Sequence, residues 1–233
     1  MHFTYAEIWD KGDFYTKNQD SFAIQAIYTG SGPFAMAVIC DGVGSLARGE
    51  YAGGRVVRSM TEWFYDGALQ LLCGDASSKK LFRSCKRALG DIHRELKEEG
   101  AENGLWMGTT FSMLILGVRQ FYYFHIGDCC CYQIGKRICT ISRRQVNAEG
   151  ELLGIVGAGD LPELFFRKGS YHKKDKFMLC SDGYNRCLSA QGLWALSENM
   201  AIEEAEKLLK EMLHRGRRKG ERDNCTGILI GRK

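Results

Sequence analysis

The order of strands and helices in this 233-residue chain predicts an α+β fold with mostly antiparallel sheets. Three strand-like segments come first, two amphipathic helices follow, and further strands, one helix and a last strand complete the chain. This order does not alternate as a series of parallel βαβ units would. The last strand must pair with strands that are distant in sequence to be buried, so we expect one domain over residues 1–233.

The first half of the chain supplies three strands and two helices. Strands are predicted at His2–Trp9, Ser21–Thr29 and Phe34–Asp41, where β-branched, aromatic and other apolar residues predominate. Apolar residues at helical spacing predict one helix through Ala52–Trp63 and another through Leu81–Leu96.

The second half returns to strands. Short links separate four segments that we expect to form an antiparallel meander: Gly108–Leu116, Phe121–Ile126, Cys130–Ile134 and Arg137–Ile141. The remaining predicted elements are a hairpin of Glu163–Tyr171 with Lys176–Cys180, a helix at Ile202–Leu213 and a closing strand at Cys225–Ile230.

Composition and charge narrow the function classes. Hydrophobic residues make up 45% and charged residues 26% of the chain, as in an ordinary globular protein. The formal charge of +4 permits acidic partners but does not indicate nucleic-acid binding. The N-terminus lacks the basic and apolar regions of a signal peptide, and no apolar stretch is long enough to span a membrane. We therefore expect no membrane association and a cytoplasmic location.

The chain has ten cysteines but no CxxC pair. Cys40, Cys180 and Cys225 lie inside apolar runs, where cysteine behaves as a small hydrophobic residue. This distribution favours free thiols in a reducing compartment over disulfides or a zinc site.

Four aspartates stand at the ends of apolar segments. Asp41, Asp128 and Asp182 follow such segments, and Asp223 precedes the last one. Each Asp-Gly pair alone is equally typical of a turn. Their recurrence favours one convergent site, and carboxylate oxygens are the ligands that magnesium and manganese prefer.

Six short motifs lie in order along nearly the whole chain. They are Asn18-Gln19-Asp20-Ser21, Asp41-Gly42-Val43-Gly44 with Gly49-Glu50-Tyr51-Ala52, Gly108-Thr109-Thr110, Ile126-Gly127-Asp128, Cys180-Ser181-Asp182-Gly183 and Asp223-Asn224-Cys225-Thr226. The series resembles the motifs of the metal-dependent protein phosphatases of the protein phosphatase 2C type, and the pattern is most similar to compact bacterial members.

The resemblance implies a four-layer sandwich of two face-to-face, mostly antiparallel sheets with helices on both outer faces. It implies a protein serine/threonine phosphatase that hydrolyses phosphomonoesters by attack of a metal-bridging water. The implied cofactors are two Mn²⁺ or Mg²⁺ ions and a third, more weakly held ion. The implied partners are a phosphorylated protein substrate and a cognate serine/threonine kinase, and the chain is expected to be a monomer that binds no nucleic acid.

The resemblance also implies metal ligands. Asp41 would bridge two ions and the Gly42 carbonyl would bind one of them. Asp182 and Asp223 would complete the ligand set of the other ion, and Asp128 would join Asp182 as a ligand of the third ion. Asp41, Asp182 and Asp223, together with Asp20, would carry the catalysis.

The segment before the second motif departs from the family pattern. Asp20 would orient the attacking water, but Gln19 stands where the family often has glutamate. Tyr15 stands where the family commonly has an arginine that grips the substrate phosphate through two hydrogen bonds. Lys17 and Arg48 are our candidates for the missing phosphate contact.

These departures motivate an alternative function. A weakly active or inactive protein could keep the phosphatase fold as a binding or regulatory module. Tyr15 and Gln19 favour that alternative, whereas retention of the four aspartates argues against it, because a decayed site usually loses its metal carboxylates.

Two other segments bear on substrate access. Residues 143–156 are shorter than the mobile flap that the family usually places there, which predicts a trimmed loop and a more open cleft. The basic run His214–Arg222 is typical of a solvated helix end, and its position before Asp223 also suits attraction of acidic phosphoprotein.

Overall fold

The strand-forming segments assemble into two five-stranded antiparallel sheets in the computed structural model, which describes residues 2–74, 76–198 and 200–233. The strands are β1 (Phe3–Asp10), β2 (Ser21–Thr29), β3 (Gly32–Cys40), β4 (Phe111–Leu116), β5 (Gln120–Ile126), β6 (Cys130–Ile134), β7 (Ile138–Thr140), β8 (Phe165–Ser170), β9 (Lys176–Cys180) and β10 (Cys225–Arg232). One sheet has the order β1-β10-β9-β6-β7 and the other has the order β2-β3-β4-β5-β8.

Helices cover the outer faces of both sheets. They are α1 (Gly49–Trp63), α2 (Leu69–Cys73), α3 (Ser78–Glu102), α4 (Asp182–Cys187), α5 (Ala190–Ser197) and α6 (Ile202–Arg218). A π-helical turn at Phe64–Ala68 joins the first two. Within the described ranges, no helix has the length and apolar character needed to cross a membrane.

Strand β3 shows why the sandwich forms. Its apolar run is continuous because both faces of the strand are buried. Met36 and Val38 pack with the α1 and α3 layer, whereas Ala37 and Ile39 pack between the two sheets. The predicted four-layer α+β sandwich is therefore confirmed.

The second helical layer packs on the other sheet. Leu209 and Met212 of α6 join Leu193 of α5 in a core with Met178 of β9 and Leu229 of β10. Neither α4 nor α5 was predicted from the sequence. Both are short, of 6 and 8 residues, so helical periodicity has little length over which to show.

The predicted four-strand meander is wrong at its centre. Strand β4 pairs with β5, and β6 pairs with β7, but β5 and β6 belong to different sheets. The chain crosses between the sheets at Gly127, whose φ of 110° lies in the region that favours glycine. Asp128 follows directly, so this crossing places a carboxylate at the edge of the sandwich.

The predicted hairpin of Glu163–Tyr171 with Lys176–Cys180 is also wrong. Strand β8 pairs with β5, whereas β9 pairs with β6 and β10 in the other sheet. A short connection suggests neighbouring strands, but in a sandwich it can equally lead from one sheet to the other.

Candidate active site

The predicted aspartates meet at one edge of the sandwich. Burial raises the pKa of Asp41 well above its usual range, and nearby carboxylates raise it further. In order of their effect on Asp41, these carboxylates are Asp20, Asp182, Asp128 and Asp223. The structure therefore brings together residues as distant in sequence as Asp20 and Asp223.

Asp41 is held by its backbone. Its N–H donates to Thr110 Oγ1 at 2.9 Å, and its carbonyl accepts from Thr110 N–H at 2.8 Å and from Thr109 Oγ1 at 2.9 Å. The two threonines precede β4, the neighbour of β3, so the sheet itself fixes the position of Asp41. The hydrogen bonds use the backbone of Asp41 and leave its carboxylate for a cation.

Gly42 is required by a close approach of the chain. Its N–H donates to the Gln19 carbonyl at 3.2 Å. A Cβ at position 42 would lie 2.6 Å from the Gly49 carbonyl carbon and 2.8 Å from the Gln19 carbonyl oxygen. Because these neighbours are backbone atoms, only glycine fits here.

Asp20 is a buried carboxylate with one satisfied oxygen. Its side chain is almost completely buried, and its Oδ2 accepts from Thr226 Oγ1 at 2.6 Å. Its Oδ1 is buried without a hydrogen-bond partner among the described residues. Burial, only partly offset by the hydrogen bond from Thr226, raises the pKa of Asp20 to about 6.

The turn before Asp20 is fixed by Asn224. The side-chain Oδ1 of Asn224 accepts from Gln19 N–H at 2.8 Å, and its Nδ2 donates to the Lys11 carbonyl at 2.6 Å. Within the described chain, Gln19 Oε1 is buried without a partner, as is Asn18 Nδ2. Unpaired buried polar atoms are costly, so their concentration in this turn indicates a site for a polar ligand or water.

Asp128 is a further buried carboxylate of the cluster. Burial, followed by the charge of Asp182, raises its pKa to about 6 although Arg144 opposes the shift. The Arg144 guanidinium is 3.8 Å from Asp128 Oδ2. Arg144 belongs to the segment of residues 143–156, so this segment contacts the site directly.

The loop of residues 143–156 is tied down at both ends. Gln145 Oε1 accepts from Gly127 N–H at 2.9 Å, and Gln145 N–H donates to the Gly127 carbonyl at 2.8 Å. At the other end, Val156 and Thr109 exchange two backbone hydrogen bonds of 2.9 and 3.0 Å. The loop is thus anchored to the same two segments that position Asp128 and Asp41.

Asp182 and Asp223 share one arginine that the sequence did not reveal as a site residue. Arg186 Nη1 donates to Asp182 Oδ2 at 2.5 Å, and its Nη2 donates to Asp223 Oδ2 at 2.8 Å. Its Nε donates to Glu221 Oε2 at 2.5 Å. The guanidinium therefore lies among three carboxylates, two of which are predicted metal ligands.

A signal for Arg186 was present in the sequence. Arg186 follows Asp182 by four residues, the spacing that joins side chains on one face of a helix. The spacing indicates a contact between Asp182 and Arg186 only if α4 is first predicted to be a helix. Ser181 is the extended residue that precedes this helix, but no helical periodicity follows it.

Tyr15 faces the acid cluster. Burial, with added effects of Asp223, Asp41 and Asp182, raises the pKa of its hydroxyl. The ring packs on Gly44, where a Cβ would overlap with the Tyr15 hydroxyl. A phenol therefore stands at the edge of the carboxylates, where it can donate a hydrogen bond but supplies no positive charge.

The two cations proposed to replace that charge contact other side chains. Lys17 Nζ is 2.9 Å from Glu50 Oε1, so Lys17 is ion-paired at the surface. The Arg48 guanidinium lies over the Tyr51 ring at 4.3 Å from its centroid. No ion pair of these two residues with the aspartates occurs in the described part of the chain.

The basic run has a structural component. Arg217 pairs with Asp10 and donates to the carbonyl oxygens of Glu221 and Asp223 at 3.1 and 2.9 Å. Arg217 therefore fixes the loop that carries Asp223 rather than forming part of a free basic surface. Arg218 and Lys219 are exposed at the end of α6.

The donor set fits Mg²⁺ or Mn²⁺ by its chemistry. It consists of oxygens, it includes the unpaired Oδ1 of Asp20, and the glycine at position 42 leaves the backbone accessible. Across residues 2–74, 76–198 and 200–233, no three acidic, thiol or imidazole side chains are already arranged as a metal site. Asp182 and Asp223 instead point to Arg186.

Comparisons with known proteins agree with this geometry. The sequence model described as protein phosphatase 2C matches residues 15–223. A bacterial serine phosphatase is similar in structure with a TM-score of 0.81 at 20% identity, over 100% of this chain and 98% of that chain. No curated protein is significantly similar to the chain in sequence.

Two named bacterial enzymes are similar as well. The serine/threonine phosphatase Stp1 of Staphylococcus aureus gives a TM-score of 0.80 at 19% identity, over 98% of this chain and 94% of that chain. The serine/threonine phosphatase PstP of Mycobacterium tuberculosis gives 0.75 at 22% identity, over 100% of both chains. At these identities, the structural likeness shows the fold.

The match to the family sequence model supports assignment to a family, whereas the structural similarity supports only the fold. It extends from Tyr15 to Asp223 and so includes each predicted metal ligand. None of the comparisons favours an inactive binding module over an enzyme. The chain belongs to the protein phosphatase 2C family of metal-dependent phosphoprotein phosphatases.

Proposed function

We propose that this chain removes phosphate from phosphoserine and phosphothreonine in proteins, with ions held by Asp41, Asp182, Asp223 and the Gly42 carbonyl. The convergence of the aspartates at one sandwich edge, shown by their joint effect on Asp41, is the observation that carries the proposal. In this assignment Asp41 would contribute to the sites of two Mn²⁺ or Mg²⁺ ions, and Asp128 would contribute to a third that is held more weakly.

The bound ions would supply an activated water and neutralise charge on the phosphoryl oxygens. Asp20 would act on that water. Its Oδ2 is fixed by Thr226, which leaves the buried Oδ1 free to accept a hydrogen bond from the attacking water. Asp20 is therefore a positioning residue.

Water is the nucleophile that best fits the protein groups present. Cys129 lies beside Asp41 and Asp128, but burial and these two charges raise the pKa of its thiol well above the usual range. A thiol held in its protonated form is a poor nucleophile. This supports direct hydrolysis without a covalent intermediate on Cys129.

The phosphate-binding group is the part of the site that differs from the family pattern. Tyr15 can donate one hydrogen bond, whereas an arginine would offer two and a charge. Of our two candidate cations, Arg48 is the better one, because Lys17 is already paired with Glu50. We expect weak capture of substrate relative to a member with the arginine.

The proposal includes a biological setting. The substrate would be a phosphoprotein, the opposing enzyme a serine/threonine kinase, and the active form a monomer. A reducing cytoplasmic location is supported by the cysteines of the described chain, all of which are free thiols. No part of this setting requires a nucleic acid or a membrane.

The test is hydrolysis of a chromogenic phosphomonoester with and without Mn²⁺, for the parent and for Asp41→Ala. We expect metal-dependent turnover that Asp41→Ala abolishes. Asp66→Ala, which removes an exposed aspartate from the outer helical layer, is the matched control and should keep full activity. A folded parent protein without metal-dependent turnover would contradict the proposal.

A panel of phosphopeptides then tests the substrate class. Matched peptides that contain phosphoserine, phosphothreonine or phosphotyrosine should be hydrolysed in the first two cases and poorly in the third. Preference for phosphotyrosine would refute the serine/threonine assignment while leaving the metal-dependent hydrolysis intact.

A further inference from the structure

Arg186 is placed where a cation is needed. Its guanidinium donates to Asp182 at 2.5 Å and to Asp223 at 2.8 Å, and these are the two carboxylates assigned to one metal ion. The Oδ1 of Asp223 accepts from the N–H of Asn224 at 2.8 Å, so both oxygens of Asp223 have donors in this arrangement. A metal ion that binds Asp223 Oδ2 therefore meets a guanidinium that is already bound there.

The third partner of Arg186 lies outside the predicted ligand set. Glu221 Oε2 accepts from Arg186 Nε at 2.5 Å, while Glu221 Oε1 accepts from the N–H groups of Arg222 and Asp223, both at 2.9 Å. The Glu221 carboxylate is thus fixed by its own loop and can retain Arg186. The arginine can leave two of its partners without losing the third.

We propose that Arg186 is an internal cation that competes with the metal ion for Asp182 and Asp223. In the metal-free protein it neutralises this half of the acid cluster and holds α4 against the loop of Glu221. Metal binding releases the guanidinium from the two aspartates while Glu221 keeps it nearby. This inference rests on the proposed metal site and adds a residue that sets its affinity.

The physical basis is repulsion between like charges. A guanidinium and a divalent ion that share two carboxylates lie within a few ångströms of each other. Even at the dielectric constant of water, Coulomb's law gives about 1–2 kcal/mol at roughly 5 Å, or about tenfold in affinity. The Arg186 side chain is 46% exposed, so this value for water is the appropriate one.

The opposite role predicts the opposite sign. If Arg186 instead oriented the two aspartates for the ion, its removal would let them move and would weaken metal binding. As a competitor, Arg186 lowers the affinity of the protein for the metal ion, whereas as a positioning residue it raises this affinity. The direction of the change therefore separates the two roles.

The experiment is calorimetric titration of Mn²⁺ into metal-free parent, Arg186→Gln and Arg186→Lys proteins. Competition predicts about tenfold tighter binding for Arg186→Gln at low salt, with Arg186→Lys closer to the parent because it keeps the charge. Arg58→Gln is the matched control, since Arg58 also pairs with an acidic residue four positions away in a helix, at 2.9 Å. It should bind Mn²⁺ as the parent does.

Thermal unfolding without metal provides a second measurement. Removal of the internal cation should lower the melting temperature of metal-free Arg186→Gln and widen its gap to the Mn²⁺-loaded form. Circular dichroism checks that Arg186→Gln is folded. If it is not, the test uses Arg186→Lys instead. In that case, Mn²⁺ affinity that falls in Arg186→Lys would overturn the competition.

The results distinguish failure of this inference from failure of the proposed function. Unchanged or weaker Mn²⁺ binding by Arg186→Gln, with normal binding by the parent, would refute the competition alone. Absence of Mn²⁺ binding by the parent and every variant would refute both the competition and the proposed metal site.

Discussion

The two halves of the acid cluster are neutralised differently. Asp20 and Asp41 lie at the β2 and β3 side, where burial raises the pKa of both carboxyl groups. Asp182 and Asp223 lie at the α4 and β10 side, where burial also raises the pKa of Asp182 but Arg186 opposes the shift and donates to both carboxylates. The protein thus supplies a cation of its own to one half and leaves the other dependent on an external one.

The difference follows from the elements that carry each half. Asp41 is fixed by backbone bonds to Thr109 and Thr110 at the end of a central strand. The ion pairs found among the described residues do not include Asp41. Asp182 begins α4, and one helical turn later Arg186 returns to the same face. The end of β3 therefore fixes the position of Asp41, whereas α4 also provides Asp182 with an ion-pair partner, Arg186.

The largest effect is expected from Asp41→Asn. Metal-dependent turnover should fall by about a thousandfold or more, because a bridging carboxylate is lost. The metal-free protein should become more stable, since burial disfavours the charged form of Asp41. Turnover assays and chemical denaturation with a chelator measure the two effects.

Asp182→Asn is the counterpart from the other half. It should also lose turnover, but its gain in metal-free stability should be smaller, because the Asp182 carboxylate already has Arg186 as a partner. Equal gains in the two variants would remove the difference between the halves.

The next effect is a pH dependence at Asp20. Its folded pKa of about 6 lies above the ordinary value of 3.8, so the metal-free protein loses stability from this group as the pH rises between these values. Asp20→Asn should therefore be more stable than the parent at pH 7, by up to about 3 kcal/mol. The difference should vanish near the lower end of that range.

Denaturant unfolding of the metal-free parent and of Asp20→Asn at several pH values measures this difference in unfolding free energy. Comparing two variants cancels other groups such as His125, whose burial lowers its pKa to about 4 and which acts with the opposite sign. A difference that stays constant with pH would show that Asp20 is ionised without penalty.

Gly42→Ala tests the packing of the buried half. The added Cβ would meet backbone atoms of Gly49 and Gln19 at 2.6 to 2.8 Å, so we expect a loss of about 1–3 kcal/mol in unfolding free energy. Gly30→Ala is the matched control, because a Cβ there has no heavy atom within 4 Å. Equal stability of the two variants would mean that the turn can relax.

The smallest effect is expected at Tyr15. Tyr15→Arg should lower KM for a phosphomonoester by up to about tenfold, because a charged donor replaces a phenol beside the carboxylates. Tyr15→Phe should change KM little. Steady-state kinetics at fixed Mn²⁺ measures both, and a raised KM for Tyr15→Arg would show that this position does not meet the phosphate.

Much of the fold could be predicted because the strands and long helices have clear patterns. The β3 run and the spacing along α1 and α3 predicted these elements, although α3 extends over Ser78–Glu102, beyond the predicted Leu81–Leu96. Pairing between strands was less predictable. The crossing at Gly127 and the split of β8 from β9 depend on contacts between segments that no local pattern reports.

The site was predicted in part for the same reason. Asp41, Asp128 and Asp182 stand out because they follow apolar strands. Arg186 did not, because its role depends on a short helix and on Glu221, which lies 35 residues away in sequence. Thr226, which fixes Asp20 over 206 positions, also carries no local signal.

The most direct test is a crystal structure of the Mn²⁺-loaded protein with anomalous diffraction at the manganese edge. We predict two peaks bridged by Asp41, with carboxylate oxygens at about 2.1 Å. At the peak between Asp182 and Asp223, Arg186 should have left both aspartates. Absence of a peak at Asp41, with Arg186 still bound to Asp182 and Asp223, would contradict the account.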